Sequence, residues 1–320
     1  MNLPAAAALA AALALGTGLA AAAPAGDRLT IATWNMEWMM RPEVFDALAP
    51  ACFGRGSRAT GHERAIPCDL VPKGRWSEAD FSRIRDFAAT LPVDVFVLQE
   101  IDGRDAAAKL FPDRRFCFTR RRAVQNVGFA IRKGIRYRCH PDLEALGLPG
   151  DEVRWGADLT LEPGTPREVR LLAVHLKASC NRDPLTSERP DCRLLRAQVP
   201  VLESWIDARA RAGDAFGVVG DFNRRFDAER KPARDDGGRL VALWPEIDDG
   251  EPAGADLVNP AEGRGAVGCN NGHGERMPID YLILGERLAG RRVPGSFRTH
   301  PYPDGGRWPD HCVISIQLER

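Results

Sequence analysis

The sequence predicts an α/β protein in which two packed β-sheets lie between outer layers of helix. Seven short runs rich in Val, Ile and Leu read as strands. Several of them are too apolar to have one face in water, so both of their faces are covered. Two longer stretches carry helical periodicity, and each immediately precedes a strand-like run. Strands covered on both faces, with helices between them in the chain, pack as sheet on sheet with helices outside.

In chain order, the first strand is LTIATWN (29–35). A helix follows over Ser77–Leu91, where Ser77 is placed to cap and Asp80 stands three residues on, as a capping box requires. VDVFVLQE (93–100), NVGFAIRK (126–133) and VRLLAVHLK (169–177) are the next strands. The second helix covers Leu194–Arg211, with Leu195, Val199, Leu202 and Ile206 along one side. FGVVGDFN (216–223), IDYLILGE (279–286) and HCVISIQLE (311–319) complete the strands. Pro- and Gly-rich pieces at 50–75, 140–151, 181–191, 228–275 and 291–309 read as loops over the sheet ends, the long fourth one including a weak VALWPEI run at 241–247. No internal repeat is present.

The first two dozen residues are dominated by Ala and Leu and carry no charged side chain before Asp27. They read as a signal peptide over 1–25 ending in Ala23-Pro24-Ala25, which leaves a single domain over 26–320 and a secreted or periplasmic location. An alanine-rich disordered or membrane-anchoring terminus is the competing reading; a stable membrane anchor is not expected, because the apolar stretch is short and interrupted by Gly16 and Gly18. Eight cysteines in an exported chain imply disulfides, with Cys52–Cys68 and Cys180–Cys192 as local pairs and Cys117–Cys139 as a third. A zinc site is the competing reading, but no pair has the tight spacing of a zinc knuckle.

The 44 basic and 44 acidic residues balance, so bulk charge does not advertise a nucleic-acid binder. The distribution is uneven. Arg114, Arg115, Arg120, Arg121, Arg122, Arg132, Lys133, Arg136 and Arg138 lie in a stretch without Asp or Glu, which is either a solvated face or a patch that steers a polyanion. No sequence feature sets an oligomeric state, and a monomer accommodates everything read here.

The strand ends carry the chemistry. Asn35 and Glu37 close the first strand, Gln99 and Glu100 the next, His175 and Lys177 the fourth, and Asp221 and Asn223 the fifth; Asp280 opens the sixth, and Asp310 and His311 precede the last. Carboxylates, amides and imidazoles gathered in this way suit a hard cation and a phosphoryl group. Glu100, a carboxylate ending an apolar strand, is a metal ligand candidate. Asn35 and Asn223 can donate to phosphate oxygens without titrating. On an extended chain Asp221 and Asn223 would point the same way, and Asp310 would point away from His311, as suits a metal ligand. Asp280 is the expected partner that fixes the His311 tautomer, and His175 could donate to a phosphoryl oxygen or protonate a leaving group.

In order, TWNMEW, LQE, VHLK, GDFN, IDYLIL and PDHCVISI resemble the motifs of the endonuclease/exonuclease/phosphatase superfamily, over residues 29–318. The resemblance implies a four-layered α/β/β/α sandwich of two mixed sheets and a metal-dependent phosphoric ester hydrolase, with Mg²⁺ as cofactor and Mn²⁺ or Ca²⁺ as substitutes. By matching position, Glu100 takes the main metal-binding role, with Asn35, Glu37 and Asp310 as its companions. Asp221 and Asn223 orient the attacking water and hold phosphate, His311 with Asp280 forms the catalytic histidine pair, and His175 is similar to a second histidine. Apurinic endonucleases have tyrosine at that last position, so an abasic-site repair role is not expected. Either Asp221 or the His311–Asp280 pair would activate the water. The basic stretch favours a nuclease acting on DNA or RNA; the alternatives are a sphingomyelinase-type phospholipid phosphodiesterase or a small-molecule phosphatase on the same site. For a lipid substrate, Trp244 and Trp308 are the obvious residues to enter a membrane. A non-catalytic binding protein is disfavoured, because every core motif residue is present.

Overall fold

A computed structural model describes residues 28–54, 64–150, 153–229, 233–235, 237–238 and 240–320, so the segment read as a signal peptide lies outside the described residues. The chain begins with β1 (Arg28–Met39), α1 (Pro42–Leu48), α2 (Glu78–Thr90), β2 (Val95–Ile101) and α3 (Gly103–Leu110). Next come β3 (Arg114–Phe118), β4 (Asn126–Arg132), β5 (Tyr137–Cys139), β6 (Ala157–Leu161), β7 (Val169–His175), α4 (Pro190–Arg211) and β8 (Phe216–Asp221). A short ribbon of β9 (Ala233–Arg234) and β10 (Leu240–Val241) precedes α5 (Trp244–Ile247) and β11 (Leu257–Val258). β12 (Asp280–Gly285), α6 (Glu286–Ala289), β13 (Arg298–His300) and β14 (Val313–Glu319) end the chain.

One sheet runs β13-β14-β1-β2-β4-β3 and the other β11-β12-β8-β7-β6-β5. Both are mixed: β1–β2 and β7–β8 are parallel, and the remaining pairs are antiparallel. Ile31, Val97 and Phe129 of the first sheet meet Leu171, Val219 and Leu282 of the second in a common core. The outer face of the first sheet packs Trp34 and Phe96 against Phe81, Ile84 and Phe87 of α2. On the other side, Leu172 and Val218 pack against Leu195, Val199, Leu202 and Ile206, the face expected of α4. This is the four-layered α/β/β/α sandwich, and each large apolar side chain in it contributes roughly 1.5–3 kcal/mol by leaving water.

Ser77 and Asp80 form the expected capping box at the start of α2. α4 starts earlier than the apolar periodicity indicates, because Pro190 supplies a preset φ at its first turn and needs no N–H partner there. β3, β5, β6 and α3 were not anticipated. β3 (RRFCF) is an edge strand whose Arg115 faces out while Arg114 packs over the Phe96 ring, and α3 spans only eight residues, too few to show a period. The long 228–275 piece holds short elements, with α5 falling on the VALWPEI run. Disulfides join Cys52–Cys68, Cys117–Cys139 and Cys180–Cys192 as expected, and Cys269–Cys312 is the fourth. Among the described residues no helix is long and apolar enough to cross a membrane.

A pH dependence of stability is built into α4. Burial pushes the Glu203 carboxyl up to about 8, and Asp207 one turn on, with Asp249 and Glu246, adds to this. An acid whose folded pKa is raised binds its proton more tightly in the folded state, so stability falls as pH rises from about 4.5 to about 8 and then levels off. Glu203→Gln is expected to unfold at the wild-type temperature at pH 4 and at a higher one at pH 8. Thermal midpoints across that range check this, and parallel curves for the two proteins would contradict it.

Candidate active site

Topology brings the polar strand ends to one edge of the sandwich. β1 and β2 run parallel with Asn35 opposite Gln99, which sets Asn35 beside Glu100. β7 and β8 run parallel with His175 opposite Asp221, and antiparallel β12 places Asp280 on the other side of Asp221. β14 lies antiparallel to β1, so the residues preceding it, Asp310 and His311, return to the same edge.

The side chains then meet. Asn35 Nδ2 donates to Asp221 Oδ2 at 3.0 Å, which bridges the two sheets. His175 Nε2 lies 3.5 Å from Glu100 Oε1 and 3.7 Å from Asp221 Oδ2. His311 Nδ1 is 2.6 Å from Asp280 Oδ2, as the expected pairing requires, and its Nε2 faces Asp221 Oδ2 at 3.9 Å. Asn223 donates from its backbone to Asp221 Oδ1 at 2.7 Å and from its amide to the Leu176 carbonyl at 3.1 Å.

Two local geometries differ from an extended reading. Asp221 and Asn223 share the site through a turn, with Asn223 at φ 50°, and not by strand alternation. Asp310 and His311 lie in a bend before β14, which brings Asp310 Oδ1 back to 4.0 Å from His311 Nε2. Glu37 takes a different partner: Lys73 Nζ donates to its carboxylate at 3.0 Å. Glu37, Trp38, Glu100 and Asn223 all have positive φ, between 46° and 54°. Such backbone costs on the order of 1–3 kcal/mol per residue and clusters where side chains must be aimed against local preference.

Electrostatics separate the two imidazoles. Burial, reinforced by Arg154 and His311, holds His175 well below its ordinary pKa, so it is neutral. Burial also disfavours charge on His311, but Asp280, Asp221 and Asp310 outweigh it and hold the ring well above the ordinary value. Burial, then Asp280, pushes the Asp221 carboxyl up to about 7, and burial raises Glu100. Glu100, Asp221, Asp280 and Asp310 thus bring four carboxylates together, facing the positive charges of Arg154, the His311 ring and, at Asp310, Arg276 at 3.9 Å. This surplus suits a divalent cation with oxygen ligands. Asp221, Asp280 and His311 each offer a ligand atom within 4.8 Å of the others.

Arg154 and Tyr302 were not singled out in the sequence. Arg154 Nε donates to the His175 carbonyl at 3.0 Å and its Nη2 to that of Leu176, while burial lowers its pKa to about 10. It stiffens the turn after β7 and sets a fixed positive charge beside Glu100 and Asp221. The Tyr302 hydroxyl accepts from Trp34 Nε1 at 2.8 Å and donates to the His311 carbonyl, which locks the backbone carrying the imidazole. Part of the basic stretch is engaged within the fold, while Arg115, Arg122 and Arg138 are exposed. Arg114 donates to the Val93 and Asp94 carbonyls, and Arg132, Lys133 and Arg136 pair with Asp94, Asp113 and Glu162.

No protein-family model and no curated protein matches the sequence. Solved structures do. TDP2 from Caenorhabditis elegans superposes at TM-score 0.56 and 14% identity over 92% of this chain and 75% of that one. AP endonuclease LMAP from Leishmania major gives 0.53 and 17% over 92% and 89%. An endonuclease/exonuclease/phosphatase family protein from Bacteroides thetaiotaomicron gives 0.51 and 12% over 91% and 97%. The chain has the fold of the endonuclease/exonuclease/phosphatase superfamily.

Proposed function

We propose that the protein is an exported, metal-dependent hydrolase of phosphodiesters that acts on nucleic acid. The observation that carries the reaction class is the meeting of Asn35, Glu100, His175, Asp221, Asp280 and His311 at one sheet edge, with more negative charge than the nearby cations offset. Glu100 and Asn35 would hold Mg²⁺, and that ion would stabilise charge on the phosphoryl oxygens. Asp310, which the resemblance implies as a further ligand, stands beside His311 and would add its charge to the same place.

The remaining steps belong to the side chains. Asp280 fixes the ring of His311, so its Nε2–H donates to a non-bridging phosphoryl oxygen. Asp221, between the two imidazoles, accepts the proton of the attacking water. His175 is neutral and donates a hydrogen bond without adding charge. Asn223, held by its turn, orients the phosphate. Export rests on the N-terminal sequence and is supported by the four disulfides.

A lipid substrate is less well supported. Trp308 is buried and stacked on Tyr302, so it is not presented to a membrane, and Trp244 is half-buried against Phe226. The test is a paired assay of the mature chain with Mg²⁺ and with EDTA on plasmid DNA, RNA and sphingomyelin liposomes. Metal-dependent loss of nucleic acid alone supports the reading, and cleavage of lipid alone overturns the substrate. Glu100→Gln is expected to shift the Mg²⁺ dependence of turnover to concentrations at least about tenfold higher. An unchanged titration would remove Glu100 from the ligand set.

A further inference from the structure

Beside His311 lies a cavity of about 390 Å³, the size of a small-molecule pocket and not of a shallow groove that follows a duplex. Asp280, Asp310 and His311 form one wall of it. Its floor is apolar, made by Met277, Ile279 and Phe297, and its rim carries Arg182, Arg225, Arg264 and Arg276.

The facing wall is built and anchored. Val267 and Arg276 exchange backbone hydrogen bonds at 2.8 Å, which closes the 267–276 loop on itself. The Cys269–Cys312 disulfide then fastens this loop to the residue that follows His311. The rim is also ordered: Arg264 stacks on the Phe297 ring at 4.5 Å, Arg225 binds Asp227 through two nitrogens, and Arg276 stands 3.9 Å from Asp310.

An apolar floor under a guanidinium rim, opening on the reacting centre, matches one nucleotide: a flat base below and a phosphate above. A paired base cannot reach such a floor without leaving its stack, at a cost of a few kcal/mol. Resting on the phosphodiesterase reading above, we propose that this pocket receives the unpaired nucleotide next to the scissile phosphate. The base lies against Met277 and Ile279 and the neighbouring phosphate against Arg182 and Arg264, so the enzyme selects single-stranded over double-stranded nucleic acid.

The experiment compares kcat/KM for a single-stranded oligonucleotide, the same sequence as a duplex, and bis(4-nitrophenyl) phosphate, which has neither base nor second phosphate. Wild type is expected to prefer the single strand by about tenfold or more. Arg264→Ala with Arg182→Ala, and separately Met277→Asp, should lower the oligonucleotide rate by about tenfold while leaving the small ester within about twofold. Equal rates on strand and duplex, or equal losses on oligonucleotide and small ester, would overturn the pocket assignment. Release of phosphate from a small phosphomonoester with both DNA forms untouched would overturn it too. A wild-type chain inert on all three diesters in Mg²⁺ would instead sink the phosphodiesterase reading on which the assignment rests.

Discussion

His311→Ala is expected to lower kcat by about 10²–10⁴-fold while the far-ultraviolet circular dichroism stays that of wild type. The size follows from position. His311 is the one cationic ring among Asp280, Asp221 and Asp310, and its Nε2 is held toward Asp221 by the 2.6 Å bond from Nδ1 to Asp280. Its removal deletes a donor and leaves Asp280 and Asp221 facing each other without the intervening charge. Asp280→Asn keeps the shape but deprives the ring of its anionic partner, so a smaller loss in kcat is expected, with a lowered imidazole pKa visible by NMR. A His311→Ala protein with turnover within about twofold of wild type would remove His311 from the chemistry.

Much of this arrangement was legible because strand ends are where chain direction and chemistry coincide. A run such as VRLLAVHLK announces both its burial and the place where burial stops, so His175 could be placed at an edge without knowing its neighbours. Asp280 could be named as the partner of His311 because it opens the strand that precedes it in the chain. What the residues alone could not fix was how the chain turns after a strand. The turn at Asp221–Asn223 and the bend at Asp310 reorient side chains that alternation would have sent elsewhere. Glu37 was expected as a companion of Glu100, and Lys73 pairs with its carboxylate across 36 positions of chain.

Arg154 left no local signal at all. It stands in a short irregular segment, one cation among 44, and matters only because the turn after β7 folds onto it. The arginine-rich stretch shows another limit of sequence. Sequence shows that like charges are adjacent but not that Asp94, Asp113 and Glu162 arrive from other elements to pair with them. The arginines beside His311 come from widely separated loops, so no window of sequence contains them together.

Gly220→Ala should be the most damaging single methyl addition at this edge. Gly220 has φ 145°, and a Cβ there would lie 2.0 Å from the Val174 carbonyl oxygen in the parallel partner strand. β7 and β8 would have to separate or slip, and the next register pair is His175 with Asp221. A displacement of about 1 Å at reacting groups costs about 10²-fold in rate. The expected stability loss exceeds the ~1–3 kcal/mol of ordinary overpacking, because backbone on both sides must give. Gly217→Ala is the control. Its Cβ would meet the Ile283 carbonyl at 2.9 Å, also a backbone clash, but about 13 Å further back along β8 from Asp221. Both variants should show lowered thermal midpoints. At a temperature where each is fully folded, only Gly220→Ala should have lost turnover. Equal kcat in the two would mean that the β7–β8 contact at Val174 holds the fold without setting the distance between His175 and Asp221.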